Sequence, residues 1–261
     1  MSFLKIDNFK IGFEEAGSSP DNVPLIFLHG VGSDKSVWKF QLRELSKNRR
    51  VIAFDYAGYG ESDLPEKALT QRGVARYILS AMDALNIETA HVAGLSMGGV
   101  IALEMFAQSP RRVKSLVLAN SFACHPKGAE LAERSRKFLE TNSMRDFAEM
   151  RVDFLLAPQT SKEIRNEVVE MMSRIDKRTY AWASAAVWTA DYLDLLPTID
   201  VPTLVIGGEL DQPTPPELSK QLAANIPSAK LEIIKTAGHL SNLDKPEVFN
   251  RLIENFIAEI K

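Results

Sequence analysis

Cysteine is almost missing from this chain. Cys124 stands alone, which excludes an internal disulfide and any cysteine-rich zinc or iron–sulfur site, and a reducing compartment fits that usage. An excess of one charge is missing too, since 31 Lys and Arg face 34 Asp and Glu for a net charge of −3. No like-charge block is long enough to follow a phosphate backbone or anionic lipid, which speaks against nucleic acid and membrane as partners. Long apolar runs are absent: nothing approaches the roughly 18 residues needed to span a bilayer, and the opening residues Met1-Ser2-Phe3-Leu4-Lys5-Ile6-Asp7 lack the apolar stretch of a signal peptide. These absences predict a cytoplasmic protein.

Phosphate-binding loops are missing as well. There is no G-x-x-x-x-G-K-[ST], and neither Gly30-Val31-Gly32 nor Gly58-Tyr59-Gly60 continues as G-x-G-x-x-G, so no nucleotide cofactor is expected. His91 and His125 lack ligand spacing, so no metal is expected either. What is present is ordinary: 45% apolar and 25% charged residues describe a globular chain, and 261 residues suit one α/β domain carrying an insertion.

Short runs rich in Val, Ile and Leu recur, at 25–28, 51–54, 91–93, 116–119, 204–206 and 231–234, most without polar alternation, as parallel strands covered on both faces require. Helical spacing falls between them, at 36–47, 70–85, 97–108, 216–225 and 246–260. Ahead of them, residues 4–6 and 10–15 read as an antiparallel hairpin. The alternation predicts an α/β fold, a mostly parallel twisted sheet with helices on both faces. Of 14 glycines only Gly128 falls between Gly99 and Gly207. That stretch reads as four helices, 128–142, 143–157, 161–175 and 177–192, with Ser143 and Ser161 as N-caps and Pro158 as a break. The predicted organisation is a core of residues 1–120 and 197–261 with a four-helix cap, 121–196, inserted in it.

Gly94-Leu95-Ser96-Met97-Gly98-Gly99 follows the third parallel strand and opens a helix. This is G-x-S-x-G in the strand–turn–helix setting that lifts a serine hydroxyl above a sheet edge, glycine being needed at positions −2 and +2 where Cβ groups would collide. A serine needs a base, and the base an acid to fix its tautomer, in the chain order Ser, acid, His. Of the histidines after Ser96, only His239 in Ala237-Gly238-His239 follows a strand-end acid. Gly207-Gly208-Glu209-Leu210-Asp211 offers two acids, and the G-x-x-D spacing favours Asp211 over Glu209. Oxyanion donors are expected from the backbone N–H of Met97 and of Val31, the latter in Leu28-His29-Gly30-Val31-Gly32.

With these four ordered motifs, including Asp55-Tyr56-Ala57-Gly58-Tyr59-Gly60-Glu61-Ser62, the chain resembles an α/β-hydrolase throughout its length. Ala237-Gly238-His239-Leu240-Ser241-Asn242-Leu243, with Lys245-Pro246-Glu247 and Phe249-Asn250, is similar to bacterial 3-oxoadipate enol-lactonases and related carboxylesterases. His29-Gly30 stands where those lactonases usually carry a Ser-Asn-like pair and general esterases keep His-Gly. Asp34-Lys35-Ser36-Val37-Trp38, Phe54-Asp55-Tyr56 and the helical cap also resemble small hydrolase-like signalling proteins that sense a ligand.

The resemblance implies a serine hydrolase acting on a small ester or lactone, with Ser96, His239 and Asp211 as triad and no cofactor. Its alternatives are an enol-lactonase-like enzyme and a ligand sensor. His29 reads as a hydrogen-bonding support, Asp55 and Ser62 as loop builders, and Cys124 as a small filler. Met and aromatic residues of the insertion pack helices and roof a pocket. Arg134, Arg136, Arg151 and Arg174 are the cap cations that could meet a substrate carboxylate.

Overall fold

The computed structural model describes residues 2–6, 9–18, 22–68 and 70–260. The N-terminal hairpin forms from β1 (Ser2–Ile6) and β2 (Phe9–Ala16), antiparallel in register from Ser2 opposite Phe13 to Ile6 opposite Phe9. Its turn at 7–8 lies outside the described residues. The apolar runs follow as β3 (Leu25–Leu28), β4 (Val51–Phe54), β5 (Ala90–Leu95), β6 (Val113–Ala119), β7 (Thr203–Gly208) and β8 (Ala229–Ile234). Among the described residues the eight strands make one sheet in the order β1-β2-β4-β3-β5-β6-β7-β8, parallel from β4 to β8. The continuous runs in β3, β4 and β5 are buried throughout, whereas β8 alternates between half-buried and exposed positions. Edge position explains β8, which has a partner on one side alone.

Five helices lie close to their predicted positions: α1 (Lys39–Leu45), α2 (Gln71–Ala84), α3 (Met97–Gln108), α8 (Pro216–Asn225) and α10 (Pro246–Ala258). The expected helix at 36–47 is broken, because Lys35–Trp38 winds as a 3₁₀ turn capped by Asp34 before α1 begins. Trp38 is fully buried there, between Phe27 at 4.6 Å and Phe249 at 6.0 Å. Apolar spacing does not distinguish the two windings, and the tighter turn suits seating that indole. A further short helix, α9 (Ser241–Asp244), was not anticipated.

Between β6 and β7 run α4 (Gly128–Thr141), α5 (Met144–Leu155), α6 (Lys162–Ser173) and α7 (Lys177–Trp188). Ser143 and Ser161 cap α5 and α6 as their positions predict, Ser143 in a reciprocal capping box with Asp146. The root of this insertion is closed by an antiparallel bridge between Cys124 and Asp191. Gly128 is required there: a Cβ would collide with the Trp188 carbonyl oxygen.

The order β4-β3-β5 reverses direction at β3. The crevice above the carboxyl ends of β3 and β5 is therefore the topological switch point, where ligands bind in open α/β sheets. It receives the loop of His29 to Ser33 from β3 and Ser96 from β5.

Candidate active site

Ser96 is the single residue joining β5 to α3, with φ 55 and ψ −117, a left-handed φ that costs a non-glycine residue strain. It is held by its backbone: Ser96 N–H donates to Ala119 O at 2.9 Å, and the Ser121 hydroxyl donates to Ser96 O at 2.8 Å. The glycines around it are steric necessities. A Cβ on Gly94 would collide with Gly98 O, and one on Gly98 with Leu28 O.

The β3 loop comes against this turn through Gly30, where a Cβ would sit 3.3 Å from Ser96 Cβ. Gly30 N–H donates to Ser33 Oγ at 3.1 Å, leaving Val31 at the turn with no acceptor for its N–H among the described residues. Met97 opens α3, where the first N–H groups have no intrahelical acceptor.

β7 and β8 deliver the other two candidates. Gly208 approaches Gly238 so closely that a Cβ would strike the Gly238 carbonyl oxygen, and Leu210 N–H donates to Ala237 O at 2.8 Å, tying the two loops together. His239 Nδ1 then lies 3.1 and 3.0 Å from Asp211 Oδ1 and Oδ2. Both residues are buried, His239 5% and Asp211 4% exposed, as is Ser96 at 5%. Glu209 instead is exposed and accepts the Thr236 N–H at 2.8 Å, supporting a residue with φ 56.

Three supporting residues escaped the sequence reading. Asn120, at φ 47 just past β6, donates through Nδ2 to Asp211 Oδ2 at 2.8 Å. Thr214 donates its hydroxyl to that oxygen at 2.7 Å and its N–H to Oδ1 at 2.8 Å. Ser241 donates to Asn120 Oδ1 at 2.5 Å. Asn120 and Ser241 lie far from Asp211 in sequence, and Thr214, three residues after it, carries no motif of its own. The one available signal is Asn at a strand end, a residue tolerant of left-handed φ.

The remaining histidines are accounted for. His29 is fully buried, its Nδ1 2.8 Å from Gly30 O while its Nε2 accepts the Tyr56 N–H at 3.3 Å, and burial pushes the ring toward its neutral form. His125 faces Pro213 O through Nε2 at 3.2 Å and packs edge-on to Trp188. Asp55 accepts the Lys35 ammonium at 2.6 Å and the Glu61 N–H at 3.0 Å, while Ser62 donates to Asp55 O, so this motif builds a loop.

Beside Met97 opens a cleft with roughly 420 Å³ of unfilled space, its mouth included, between the 56–59 loop, the start of α2 and one side of α7. Tyr56, Tyr59, Val74, Ile101, Trp182 and Ala186 give it apolar walls, and among the described residues no Lys or Arg lines it. The candidate arginines of the helices between β6 and β7 lie elsewhere. Arg136 pairs with Glu133 and Glu140 on the surface, Arg174 is exposed near Asp34, and Arg134 and Arg151 line a separate hollow between α4 and α5. None of these four candidate cations is among the residues that line the cleft.

A family model for the alpha/beta hydrolase fold matches residues 23–246, and the chain belongs to that family. It is 29% identical over 249 residues to 3-oxoadipate enol-lactonase 1 of Acinetobacter baylyi, covering 94% of this chain and 92% of that one. It is 31% identical over 251 residues to 2-hydroxymuconate semialdehyde hydrolase of Pseudomonas sp. strain CF600, covering 90% and 87%. Among solved structures, the enol-lactonase of Burkholderia xenovorans LB400 superposes with a TM-score of 0.92 at 26% identity, over 99% of this chain and 100% of that one. A thermophilic esterase of Thermogutta terrifontis gives 0.90 at 27%, over 97% and 94%. These relatives are hydrolases.

Proposed function

We propose that the chain is a cofactor-independent serine hydrolase that cleaves small carboxylic esters or lactones through an acyl-enzyme on Ser96. The observation that carries this reading is the buried His239–Asp211 pair on the same sheet edge as a serine held at φ 55. In the proposed reaction Ser96 Oγ attacks the carbonyl carbon and His239 takes its proton at Nε2, since Nδ1 faces Asp211. The Val31 and Met97 N–H groups receive the developing oxyanion, having no other acceptor to satisfy. His239 returns the proton to the leaving alcohol; water then enters, loses its proton to His239 and releases the acid. For a lactone the alcohol stays attached to the product.

Residues 121–196 act in this proposal as a cap that sets substrate choice, α7 supplying one wall of the cleft. A neutral limb suits that cleft, because an unpaired carboxylate buried among its apolar walls would be costly to desolvate. This weighs against a carboxylated enol-lactone, the second reading, which the similarity to enol-lactonases favours. Relatives that hydrolyse a semialdehyde widen the range of bonds to be tried. The test is a screen of p-nitrophenyl esters of rising acyl length with neutral and carboxylated lactones, run on the parent and on Ser96→Ala. Neutral substrates should turn over in the parent alone. Ser96→Ala retaining more than about a hundredth of the activity would refute the nucleophile, since triad loss costs several orders of magnitude.

A further inference from the structure

Buried hydroxyls without a partner are scarce in folded proteins, because each forfeits its hydrogen bonds to water. Among the described residues seven buried side-chain polar atoms lack a partner, and two of them, Tyr59 Oη and Thr179 Oγ1, belong to residues lining the cleft beside Met97. They come from two elements distant in sequence. Tyr59 sits in the loop after β4, and Thr179 in the first turn of α7, packed on Gly58 where a Cβ would run into its side chain. Both residues are almost wholly buried. The Tyr59 hydroxyl stays protonated at any working pH, burial and the nearby Tyr180 holding it well above the ordinary tyrosine range. Both atoms are thus donors without an acceptor among the described residues, carried by residues that line a largely apolar cleft.

We infer that Tyr59 and Thr179 form a polar subsite that selects substrates whose limb in this cleft carries a carbonyl oxygen. One carbonyl oxygen has two lone pairs and no proton, which matches two O–H donors and needs no acceptor in return. A purely aliphatic limb would fill the cleft and leave both hydroxyls unpaired, while an oxo-substituted one satisfies them. The inference rests on the hydrolase reading above and names the substrate class of that same site. Tyr59 and Thr179 are specificity residues; the bond-breaking atoms remain those of Ser96 and His239.

The experiment compares kcat/KM within two matched pairs. p-Nitrophenyl 4-oxopentanoate against p-nitrophenyl pentanoate probes the acyl limb, and 3-oxobutyl butanoate against butyl butanoate probes the alcohol limb. In one pair the parent should favour the oxo compound by about tenfold, in the range set by two hydrogen bonds to neutral groups. Tyr59→Phe and Thr179→Val should each bring the ratio of oxo to plain ester down toward one. Neither variant should melt below the parent, since an unpaired buried hydroxyl contributes nothing to lose. No oxo preference in either pair, equal losses on oxo and plain esters, or a clear fall in Tm in Tyr59→Phe would each overturn the subsite. Ser96→Ala run alongside separates the two ideas: activity surviving in it would sink the hydrolase reading instead.

Discussion

Lowering the pH from about 7.5 to about 5 should remove roughly 2 kcal/mol of folding free energy through one ring, that of His91. The ring belongs to β5, is 4% exposed, and has Nδ1 2.7 Å from Ser115 Oγ. Burial, then the positive charges of Arg49 and Lys114, hold its pKa down from 6.5 to about 4. Between those values the unfolded chain binds a proton that the folded chain does not, so stability falls as pH drops through the window and is complete above it. One pKa unit corresponds to about 1.36 kcal/mol, and the roughly 1.5 units between 6.5 and 5 give the figure above. At roughly 2–4 °C per kcal/mol for a chain of this size, the melting midpoint should drop by roughly 4–8 °C. His29 and His125 are shifted in the same direction by burial and add to the slope. Scanning calorimetry on the parent and on His91→Gln, whose amide still meets Ser115, isolates the His91 share as the difference between two acid shifts. An acid shift in His91→Gln as large as the parent's would refute the reasoning.

Asp211→Asn should lower kcat by about four orders of magnitude by presenting the wrong tautomer of His239, while Glu209→Gln, whose carboxylate supports the Thr236 amide, should change kcat by less than about threefold. The reverse ranking in steady-state assays would transfer the acid's role to Glu209. Gly94→Ala should fail to give a cooperatively melting protein, because its Cβ meets backbone of the turn after Ser96 rather than a side chain that can move; a normal melting curve would show that the turn yields.

The parts of the molecule that could be read from sequence are those in which one local constraint decides the residue. Glycine at 94 follows from a collision with Gly98 within five residues of chain, and the caps at Ser143 and Ser161 from orphan amides three residues on. The continuous apolar runs gave the parallel strands because burial on both faces leaves no polar position to alternate with. That Asp211 rather than Glu209 comes against His239 follows likewise from a turn of fixed length after β7, which leaves Glu209 exposed. The support of Asp211 was not. Asn120 and Ser241 lie 91 and 30 residues away from it in sequence, and nothing local to either distinguishes them from any polar residue at a strand end or helix start.

The helices between β6 and β7 show the limit most clearly, because helical periodicity says that a residue faces one side without saying what lies there. Arg134 and Arg151 share a hollow with Phe138, Phe147 and Phe154, so their spacing reflects packing between α4 and α5 rather than the cleft. Thr179 carries the opposite lesson. In sequence it is an ordinary residue near the start of a helix, three after its cap Asp176, to whose carboxylate its N–H donates at 2.8 Å. Only the approach of α7 to Gly58 brings its side chain against the loop that carries Tyr59 and strips it of water. On the proposed reading, chemistry is set by short motifs at strand ends, whereas selectivity is set where two elements distant in sequence meet. Substitutions along α7's inner side should therefore change which substrates are used before they change how fast the best one is cleaved, and parallel changes in kcat for every substrate would contradict that division.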